Sequence, residues 1–419
     1  EMAAVGVNVN YAPCVDVNVN PHNPVVGIRS FGEHPDMVAR LGAAMIEGIQ
    51  SQGVAATAKH FPGHGDTATD SHLGLPILPH SLERLRGLEF VPFRASVEAG
   101  VKLIMAAHIG LPAVDGQNAP PASLSPGILQ NLLRREVGYK GVIITDALDM
   151  HAIPQGEALG GQAIKAAVAG ADLLLVTSSP DDQHRIYAAL LDAARRGVLS
   201  EENLLESARR VTALRAWLAE SGGIPELDVI ASAAHMQVAE EIAQHSITLV
   251  RDHGRLLPLR LDGQKRIAGI VPRPLDLTPA DTSSYITPKL AEALRQYHPR
   301  VDELVIPYAP DDSDIAGLLQ RIPDYDLMVI GTLNAFDQEA QARLVRELLK
   351  TGVPAVVVAL RLPYDLAAFP EASCYVCTYS LLEPSMRALA AFLFGRMEST
   401  GRLPVSIPGL YTTGHSFHR

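Results

Sequence analysis

The residues best suited to chemistry lie in one stretch of fourteen, KHFPGHGDTATDSH, from Lys59 to His72. It holds three histidines, two aspartates and one lysine, and it directly follows the apolar run Val54–Ala58. Two glycines and a proline predict that the stretch is a loop. Loops on a rigid scaffold often carry function, and a surface loop has no structural need for so many imidazoles. We therefore interpret it as a candidate active site.

A second chemical group is Asp146, which follows the wholly apolar run Val142–Thr145. A carboxylate directly after a buried strand of a βα-barrel faces the catalytic end of the barrel. The alternative is that Asp146 caps the N-terminus of a following helix, where Asp is a favoured residue. A Ser/His/Asp hydrolase is disfavoured because the chain has no GxSxG motif.

Metal binding is the main chemical alternative for the histidine-rich loop. Five of its side chains are of types that bind zinc: His60, His64, Asp66, Asp70 and His72. A helical HxxxH pair is excluded because Pro62 and Gly63 intervene. Elsewhere in the predicted barrel only His108 and Asp146 offer further ligands, so we favour a site with no metal and expect no cofactor.

The elements that must position these residues alternate between short apolar runs and amphipathic helices. Five runs of four or five residues predict strands buried on both faces: Val5–Val9, Val54–Ala58, Leu103–Ala107, Val142–Thr145 and Leu173–Thr177. Repeated βα units predict a parallel sheet, and polar residues just after the strands favour a (β/α)₈ TIM-type barrel. A complete barrel needs three more strands, which we expect to precede residue 1.

Helix signals accompany these strands. The segment Asp36–Ser51 has Pro35 before it and Gly53 after it, and one apolar stripe formed by Val38, Leu41, Met45 and Ile49. A second helix covers Gln162–Ala169. Ser200 is placed to cap a third helix, which begins at Glu201.

A Gly- and Pro-containing break, residues 221–231, predicts a linker between a partial TIM-barrel catalytic domain, residues 1–220, and a second domain, residues 232–419. Ser232 is placed to cap a helix over Ala233–His245, and helices are expected near 286–297, 337–350 and 383–395. The predicted strands are Ile247–Val250, Ile267–Val271, Val301–Ile306, Leu327–Gly331 and Ala355–Leu360. This pattern predicts an α/β sandwich, without a phosphate-binding glycine motif.

Composition limits the possible partners. The net charge is −11 and no Lys/Arg-rich run occurs, so a nucleic-acid partner is disfavoured. No window reaches the roughly 18 apolar residues of a membrane span. The three cysteines, Cys14, Cys374 and Cys377, argue against a disulfide framework. Cys374 and Cys377 form a CxxC inside an apolar strand-like stretch, and we interpret them as two ordinary core cysteines rather than a redox motif. Compartment and oligomeric state follow from none of these features.

Three segments resemble family-3 glycoside hydrolases, and more narrowly their β-N-acetylhexosaminidase branch. They are the loop KHFPGHGDTATDSH, the preceding NPVVGIRSFG and the later GVIITDALDM. The resemblance covers nearly the whole chain. The segment Gly401–Pro408 is similar to the close of the second domain in two-domain members. An earlier acidic motif of DxEGG type, which binds sugar hydroxyls in the family, is expected before residue 1.

The resemblance implies a set of roles. Asp146 matches the catalytic nucleophile, and His72 matches the acid/base of this branch, with Asp70 as its partner. Three more positions match residues that bind the N-acetyl sugar: Lys59, His60 and Arg29. Glucosidase and xylosidase relatives usually carry SDW at the nucleophile and take a carboxylate acid/base from elsewhere, so those branches are disfavoured.

The expected function is that of a retaining exo-β-N-acetylhexosaminidase acting on peptidoglycan fragments or chitooligosaccharides. An imidazole acid/base titrates near neutrality and repels anions less than a carboxylate does, so phosphorolysis is a hypothetical side activity. Two other classes stay open: a metal-dependent barrel hydrolase, and an inactive sugar-binding relative.

Overall fold

The computed structural model describes residues 1–69, 74–177, 179–221, 223–277 and 281–417. The chain divides into two compact units, Glu1–Ile230 and Ala231–Arg419. Each unit contains its own parallel strands and helices. Within the described ranges, no helix combines the length and the apolar character that crossing a bilayer requires.

The first unit is built on a parallel four-stranded sheet in the order β1-β2-β3-β4, followed in sequence by helices, as in a TIM-type barrel. Its strands are β1 (Val9–Asn10), β2 (Ala55–Phe61), β3 (Leu103–Ala106) and β4 (Val142–Thr145). Its helices are α1 (Pro35–Ser51), α2 (Leu82–Gly87), α3 (Phe90–Glu98), α4 (Pro112–Asp115), a π-helical segment Gly127–Glu136, α5 (Leu159–Ala169), α6 (Pro180–Arg195) and α7 (Glu201–Glu220).

The strands of the first unit are apolar on both faces, which explains why their sequences do not alternate. Residues such as Ala56, Ile104 and Ile143 belong to the larger core cluster, which includes the outer helices. Their neighbours along the strands, such as Leu103 and Val142, belong to a second cluster with Leu214 of α7. Successive side chains of a strand point to opposite faces, so an apolar run without alternation indicates a strand that is buried on both faces of the sheet.

Two predicted strands of the first unit are wrong. Residues Ala3–Val5 form a short 3₁₀ helix that ends at Gly6 with φ +83°, so only Val9–Asn10 of that region pairs as a strand. In Leu173–Thr177 the structure shows a single bridge, between Leu173 and Ile144. The other three strands are confirmed, and β2 continues three residues beyond the predicted end.

The predicted helices of the first unit are confirmed, with one error in the buried face. Helix α1 buries Val38, Ala39, Gly42 and Ile46, whereas Met45 is 40% exposed. The Ser200 side chain accepts a hydrogen bond from the Asn203 amide at the start of α7, as the cap prediction requires.

A buried carboxylate joins three elements of the first unit. Asp172 accepts hydrogen bonds from Arg134 of the π-helical segment (2.5 Å) and from the Ile143 amide of β4 (2.8 Å). Its other oxygen accepts from Ser207 (2.6 Å) and Arg210 (3.0 Å), both on α7. The Asp172 side chain has no exposed surface, so these bonds replace the water that it lost.

The second unit is a six-stranded sheet with helices, in the order β5-β10-β9-β8-β6-β7. All neighbours are parallel except β5 and β10, which are antiparallel. The strands are β5 (Thr248–Asp252), β6 (Ile267–Pro272), β7 (Val301–Ile306), β8 (Leu327–Thr332), β9 (Ala355–Ala359) and β10 (Cys374–Cys377). The helices are α8 (Ala233–Ser246), α9 (Leu290–Arg295), α10 (Asp312–Arg321), α11 (Glu339–Lys350) and α12 (Glu383–Leu393).

The sheet of the second unit separates two apolar cores, as an α/β sandwich requires. Val356 and Val358 of β9 belong to one core, and Val357 belongs to the other. Cys374 and Cys377 are buried in β10 and form no disulfide, which confirms their interpretation as core cysteines. The Ser232 cap of α8 is also confirmed, since its side chain accepts from the His235 amide.

The two edge strands of this sheet differ in what borders them. Along β5, the Leu249 amide donates to the Ser399 side chain (2.8 Å), and the Leu249 carbonyl accepts from the Phe417 amide (2.7 Å). At the other edge, β7 alternates buried and outward positions and presents the charged side chains of Asp302 and Glu303.

Candidate active site

The site is built at the carboxyl ends of β2 and β4. Lys59 and His60 were predicted to begin a loop, but the structure makes them the last part of β2, which runs to Phe61. Strand β2 lies beside β3, and β3 lies beside β4, which ends at Thr145. The three strands are parallel, so Lys59, His60 and Asp146 meet at the same edge of the sheet.

Asp146 is half-buried directly after β4. Its carboxylate accepts a hydrogen bond from the Ala147 amide (2.9 Å), and its own amide donates to the Ala106 carbonyl of β3 (2.8 Å). No helix starts here within the described residues; the next helical turn begins at Gly156. The helix-cap alternative for Asp146 is therefore wrong.

The surroundings of Asp146 keep it ionised. Burial by itself raises the pKa of the Asp146 carboxyl. The imidazoles of His60 and His108, and then a backbone amide and the Lys59 ammonium, outweigh burial and hold that pKa below its usual value. A carboxylate is consequently present near neutral pH, as attack on an electrophilic carbon requires.

Lys59 lies between opposite charges. Burial lowers the pKa of its ammonium, the nearby guanidinium of Arg29 acts in the same direction, and the Asp146 carboxylate acts against both. Arg29 closes a short 3₁₀ helix and donates through Nε and Nη2 to the Val25 carbonyl (3.1 and 2.6 Å). Lys59 therefore lies within electrostatic reach of both Arg29 and Asp146.

Asp16, a carboxylate that the sequence analysis did not single out, forms hydrogen bonds with His60 and with the turn that follows it. It is 1% exposed and accepts hydrogen bonds from the His60 amide (3.1 Å), the His64 amide (2.6 Å) and the ring Nδ1 of His60 (2.7 Å). The Cys14 thiol donates to it as well (3.1 Å). Asp16 thus fixes both ends of the turn that follows β2.

The first part of the histidine-rich loop is a buried turn rather than a surface loop. His64 is 1% exposed, and its Nδ1 is 2.6 Å from the Thr67 hydroxyl. The Asn23 side chain donates to the carbonyls of His64 (2.7 Å) and Thr67 (3.1 Å). Asp66 pairs with His80 at 2.7 Å. His64 and Asp66 therefore shape the loop.

His108 stabilises the turn after the candidate nucleophile. It is fully buried, with Nδ1 2.7 Å from the Ser123 hydroxyl and Nε2 2.9 Å from the Ala147 carbonyl. A histidine at a strand end can line a pocket or satisfy backbone groups, and the Ala147 contact supports the second role.

Asp70 and His72, the proposed acid/base pair, lie outside the described residues, which resume at residue 74. The loop is described up to Thr69. Four of the six predicted site residues, Asp146, Lys59, His60 and Arg29, are therefore placed by the structure.

One set of described side chains has the chemistry of a metal site. Donor atoms of Cys14, Asp16 and His60 lie within 4.8 Å of one another. Tetrahedral zinc, with bonds of about 2.0–2.3 Å, separates neighbouring donors by roughly 3.3–3.5 Å. Here Asp16 Oδ2 is 2.7 Å from His60 Nδ1 and 3.1 Å from Cys14 Sγ, which are hydrogen-bond distances. The donors are thus arranged to share protons.

Two residues that hold the turn after β2, Asp16 and Asn23, were missed because their partners in that turn are more than forty positions away in sequence. The available signal is the run Cys14–Val19, in which Asp16 and Asn18 interrupt an apolar segment. Polar residues are rarely buried without a specific partner. A run of this kind directly before the NPVVGIRSFG segment predicts such partners.

Family comparison supports the architecture. The model described as "Glycosyl hydrolase family 3 N terminal domain" matches residues 1–214, and the "Glycosyl hydrolase family 3 C-terminal domain" matches residues 247–415. Among curated proteins, "Beta-hexosaminidase A" of Pseudoalteromonas piscicida is 30% identical over 97% of this chain and 75% of that protein. A "Beta-N-acetylglucosaminidase/beta-glucosidase" of Cellulomonas fimi is 33% identical over 64% of this chain and 49% of that protein.

The chain is also similar to solved structures. A family 3 β-N-acetylglucosaminidase from Paenibacillus sp. str. FPU-7 is 36% identical with a TM-score of 0.89, covering 98% of this chain and 78% of that one. A β-glucoside phosphorylase, BglX, is 27% identical with a TM-score of 0.80, covering 96% and 75%. This chain spans about three quarters of those structures and about half of the Cellulomonas fimi protein.

Proposed function

The chain belongs to glycosyl hydrolase family 3 and is a glycoside hydrolase, and from that membership we propose that it is a retaining exo-β-N-acetylhexosaminidase. The proposed substrates are oligosaccharides with a terminal β-linked N-acetylglucosamine, from peptidoglycan fragments or chitooligosaccharides. The names of the Pseudoalteromonas and Paenibacillus relatives support this specificity.

The observation that carries the proposal is the ionised Asp146 carboxylate at the end of β4, in a neighbourhood of basic side chains. In a retaining mechanism this carboxylate attacks the anomeric carbon and forms a covalent glycosyl ester. Water then attacks the same carbon, and the sugar leaves with its original configuration.

His72 is the proposed acid/base, with Asp70 as its partner. An imidazole can protonate the departing oxygen and then deprotonate the incoming water near neutral pH without a large pKa shift. A carboxylate hydrogen-bonded to its second nitrogen fixes the tautomer and stabilises the imidazolium. Both residues are assigned from the family resemblance.

Lys59, His60 and Arg29 are proposed to bind the N-acetyl sugar. Charged donors form hydrogen bonds about twice as strong as neutral ones, which suits recognition of hydroxyl and carbonyl oxygens. The electrostatic reach of Lys59 to both Arg29 and Asp146 supports this assignment.

The principal test is Asp146→Asn. We expect turnover of an aryl N-acetyl-β-glucosaminide to fall by on the order of 10³-fold or more, since the covalent step loses its nucleophile. The matched control is Asp192→Asn, which changes a carboxylate that is 63% exposed on α6 and should leave activity unchanged. A well-folded Asp146→Asn enzyme with wild-type turnover would refute the proposal.

The acid/base assignment has its own test in His72→Ala. We expect a much larger loss of rate with a poor alkyl or sugar leaving group than with an activated aryl one, because only the poor group needs protonation. Equal losses for both substrates would count against proton transfer by His72.

Phosphorolysis is a second candidate activity, favoured by the similarity to the β-glucoside phosphorylase. An imidazole acid/base leaves room for an anionic acceptor that a carboxylate would repel. We expect N-acetylglucosamine 1-phosphate among the products at high phosphate concentration. Its absence there, with free sugar as the sole product, would leave hydrolysis alone.

A metal-dependent hydrolysis and a purely sugar-binding role are the remaining alternatives. The donor atoms of Cys14, Asp16 and His60 lie at hydrogen-bond distances from one another, and this spacing suits proton sharing better than binding of zinc. We expect turnover to be insensitive to a strong chelator; loss of activity that added zinc restores would support the metal alternative. Sugar binding by a wild-type protein without turnover would support the binding role.

A further inference from the structure

We propose that Asp16 is a positioning residue of the active site, which sets the tautomer of the His60 ring and the start of the turn from His60 to Thr67. The inference rests on the proposed function, because His60 matters for turnover only if it contacts the sugar. It extends that function to a residue in a different segment of the chain, forty-four positions before His60.

The contacts divide between the two oxygens of the carboxylate. Oδ1 accepts from the backbone amides of His60 (3.1 Å) and His64 (2.6 Å), and these two bonds hold the turn. Oδ2 lies 2.7 Å from His60 Nδ1 and accepts from the Cys14 thiol at 3.1 Å. One side chain thus determines both a backbone conformation and a ring orientation.

The location of Asp16 makes its charge effective. It is 1% exposed, and its backbone carbonyl accepts from the Ser30 hydroxyl (2.7 Å), beside Arg29. Burial alone raises the pKa of its carboxyl, but the charge and hydrogen bond of His60, together with His64, hold that pKa well below its usual value. Asp16 therefore accepts hydrogen bonds and does not donate them at neutral pH.

The consequence for His60 follows from donor and acceptor chemistry. An ionised carboxylate next to Nδ1 requires the proton on Nδ1, so in the neutral ring Nε2 is the acceptor. His60 also lies within electrostatic reach of the Asp146 carboxyl. In the neutral ring, Nε2 is therefore suited to accept a hydrogen bond from a sugar hydroxyl near the proposed nucleophile.

Asp16→Asn separates this role from simple support of the fold. The asparagine carbonyl can still accept from both backbone amides, so the turn should be kept. Its NH₂ group, however, donates towards Nδ1 and forces the His60 proton to Nε2, so the ring can no longer accept a hydrogen bond from a sugar hydroxyl. The control is Asp192→Asn, which makes the same change in a carboxylate that is 63% exposed on α6.

The experiment measures kinetics and the His60 tautomer on the full chain. We expect Asp16→Asn to lower kcat/KM for an aryl N-acetyl-β-glucosaminide by about 10²-fold, as misplaced catalytic groups do. Its unfolding temperature should stay close to that of the wild type, and Asp192→Asn should retain kcat/KM within a few-fold. The double variant Asp16→Asn/His60→Ala should be no slower than His60→Ala alone, because both act through one ring.

Two results would overturn the proposal. The first is a folded Asp16→Asn enzyme with unchanged kcat/KM, or a loss that multiplies with that of His60→Ala. The second comes from the wild type and needs no folded Asp16 variant: ¹⁵N NMR of histidine-labelled protein, with His60 assigned by its absence in His60→Ala, should show the Nδ1–H form. An Nε2–H neutral ring contradicts it. This readout does not depend on turnover, so it remains decisive if Asp146→Asn stays active.

Discussion

The histidines of the first unit differ in what their rings contact, and therefore in the charge they can carry. His60 lies beside two carboxylates, Asp16 through a hydrogen bond and Asp146 through space. His64, only four residues later, is buried against Thr67, and burial together with the charge of His60 lowers its pKa to about 4. The two imidazoles on this turn therefore have different roles. His60 interacts electrostatically with two carboxylates, and His64 stabilises the turn through Thr67.

The His64 environment predicts a pH-dependent stability of the first unit. The unfolded chain takes up this proton near pH 6.5, whereas the folded chain takes it up only near pH 4. Between these values the unfolded state binds more protons, so the free energy of unfolding falls as the pH falls, by about 3 kcal/mol in total.

Fluorescence of the single tryptophan, Trp217 on α7, reports on this unit alone and can follow urea unfolding from pH 7 to pH 4.5. In His64→Gln the slope against pH should be shallower than in the wild type. Parallel slopes would show that other groups cause the dependence.

The sequence identifies those candidate-site residues that lie at the end of a recognisable apolar run. Asp146, Lys59 and His60 were identified because each follows or ends a recognisable apolar run. Asp16 was not identified, because its hydrogen-bond partners are His60 and His64, which lie 44 and 48 positions later in the sequence. These contacts form only when β2 lies beside the segment that carries Asp16. Whether a charged side chain is buried depends on its tertiary neighbours, which a single sequence does not identify.

At the scale of elements, the first unit depends on one buried carboxylate to join strand and helices. Asp172 satisfies Arg134 of the π-helical segment, the Ile143 amide of β4, and Ser207 and Arg210 of α7. The helix dipoles and apolar faces alone do not specify how α7 lies along β4. The fixed geometry of four donors around Asp172 does.

Asp172→Ala should therefore destabilise the first unit strongly. It removes an acceptor from two guanidinium groups and a strand amide, and removing one partner of a buried ion pair costs about 3–5 kcal/mol. Thermal unfolding followed by Trp217 fluorescence measures the loss. Asp192→Ala, which breaks an exposed pair with Arg196 on α6, should change stability by less than about 1 kcal/mol. Similar effects of both changes would contradict the role given to Asp172.

Strand boundaries show which part of an element a sequence determines. Strand β4 was predicted with its observed bounds, because Val142–Thr145 is wholly buried and flanked by Gly141 and Asp146. The run Leu173–Thr177 is equally apolar, yet most of it is half-buried and only Leu173 pairs. An apolar run predicts burial, whereas strand formation also needs a neighbour with free backbone groups in register.

At the scale of the whole molecule, the chain consists of two units with separate cores. The first is Glu1–Ile230 and the second is Ala231–Arg419, and the predicted linker of residues 221–231 spans the boundary. Within that linker Ile224 is 74% exposed and Leu227 is 64% exposed. Exposed apolar side chains in a connecting segment indicate that it is held by few contacts of its own.

Limited proteolysis should therefore cut first between residues 221 and 231. A protease of broad specificity at low concentration is expected to give two resistant fragments, with ends that mass spectrometry places at this segment. A first cut inside β2 or β9, each buried in its own unit, would contradict the division.

The two borders of the second unit's sheet have a consequence for behaviour at high concentration. An unpaired strand edge is a template on which another chain can add a strand, and chains that add repeatedly grow into aggregates. The backbone of Leu249 is already occupied by Ser399 and Phe417, whereas at the opposite border Asp302 is paired with Arg266 and Glu303 is exposed. Edge-to-edge addition is thus hindered by the molecule's own chain at β5, and at β7 it would bring the Glu303 carboxylates of identical molecules near one another.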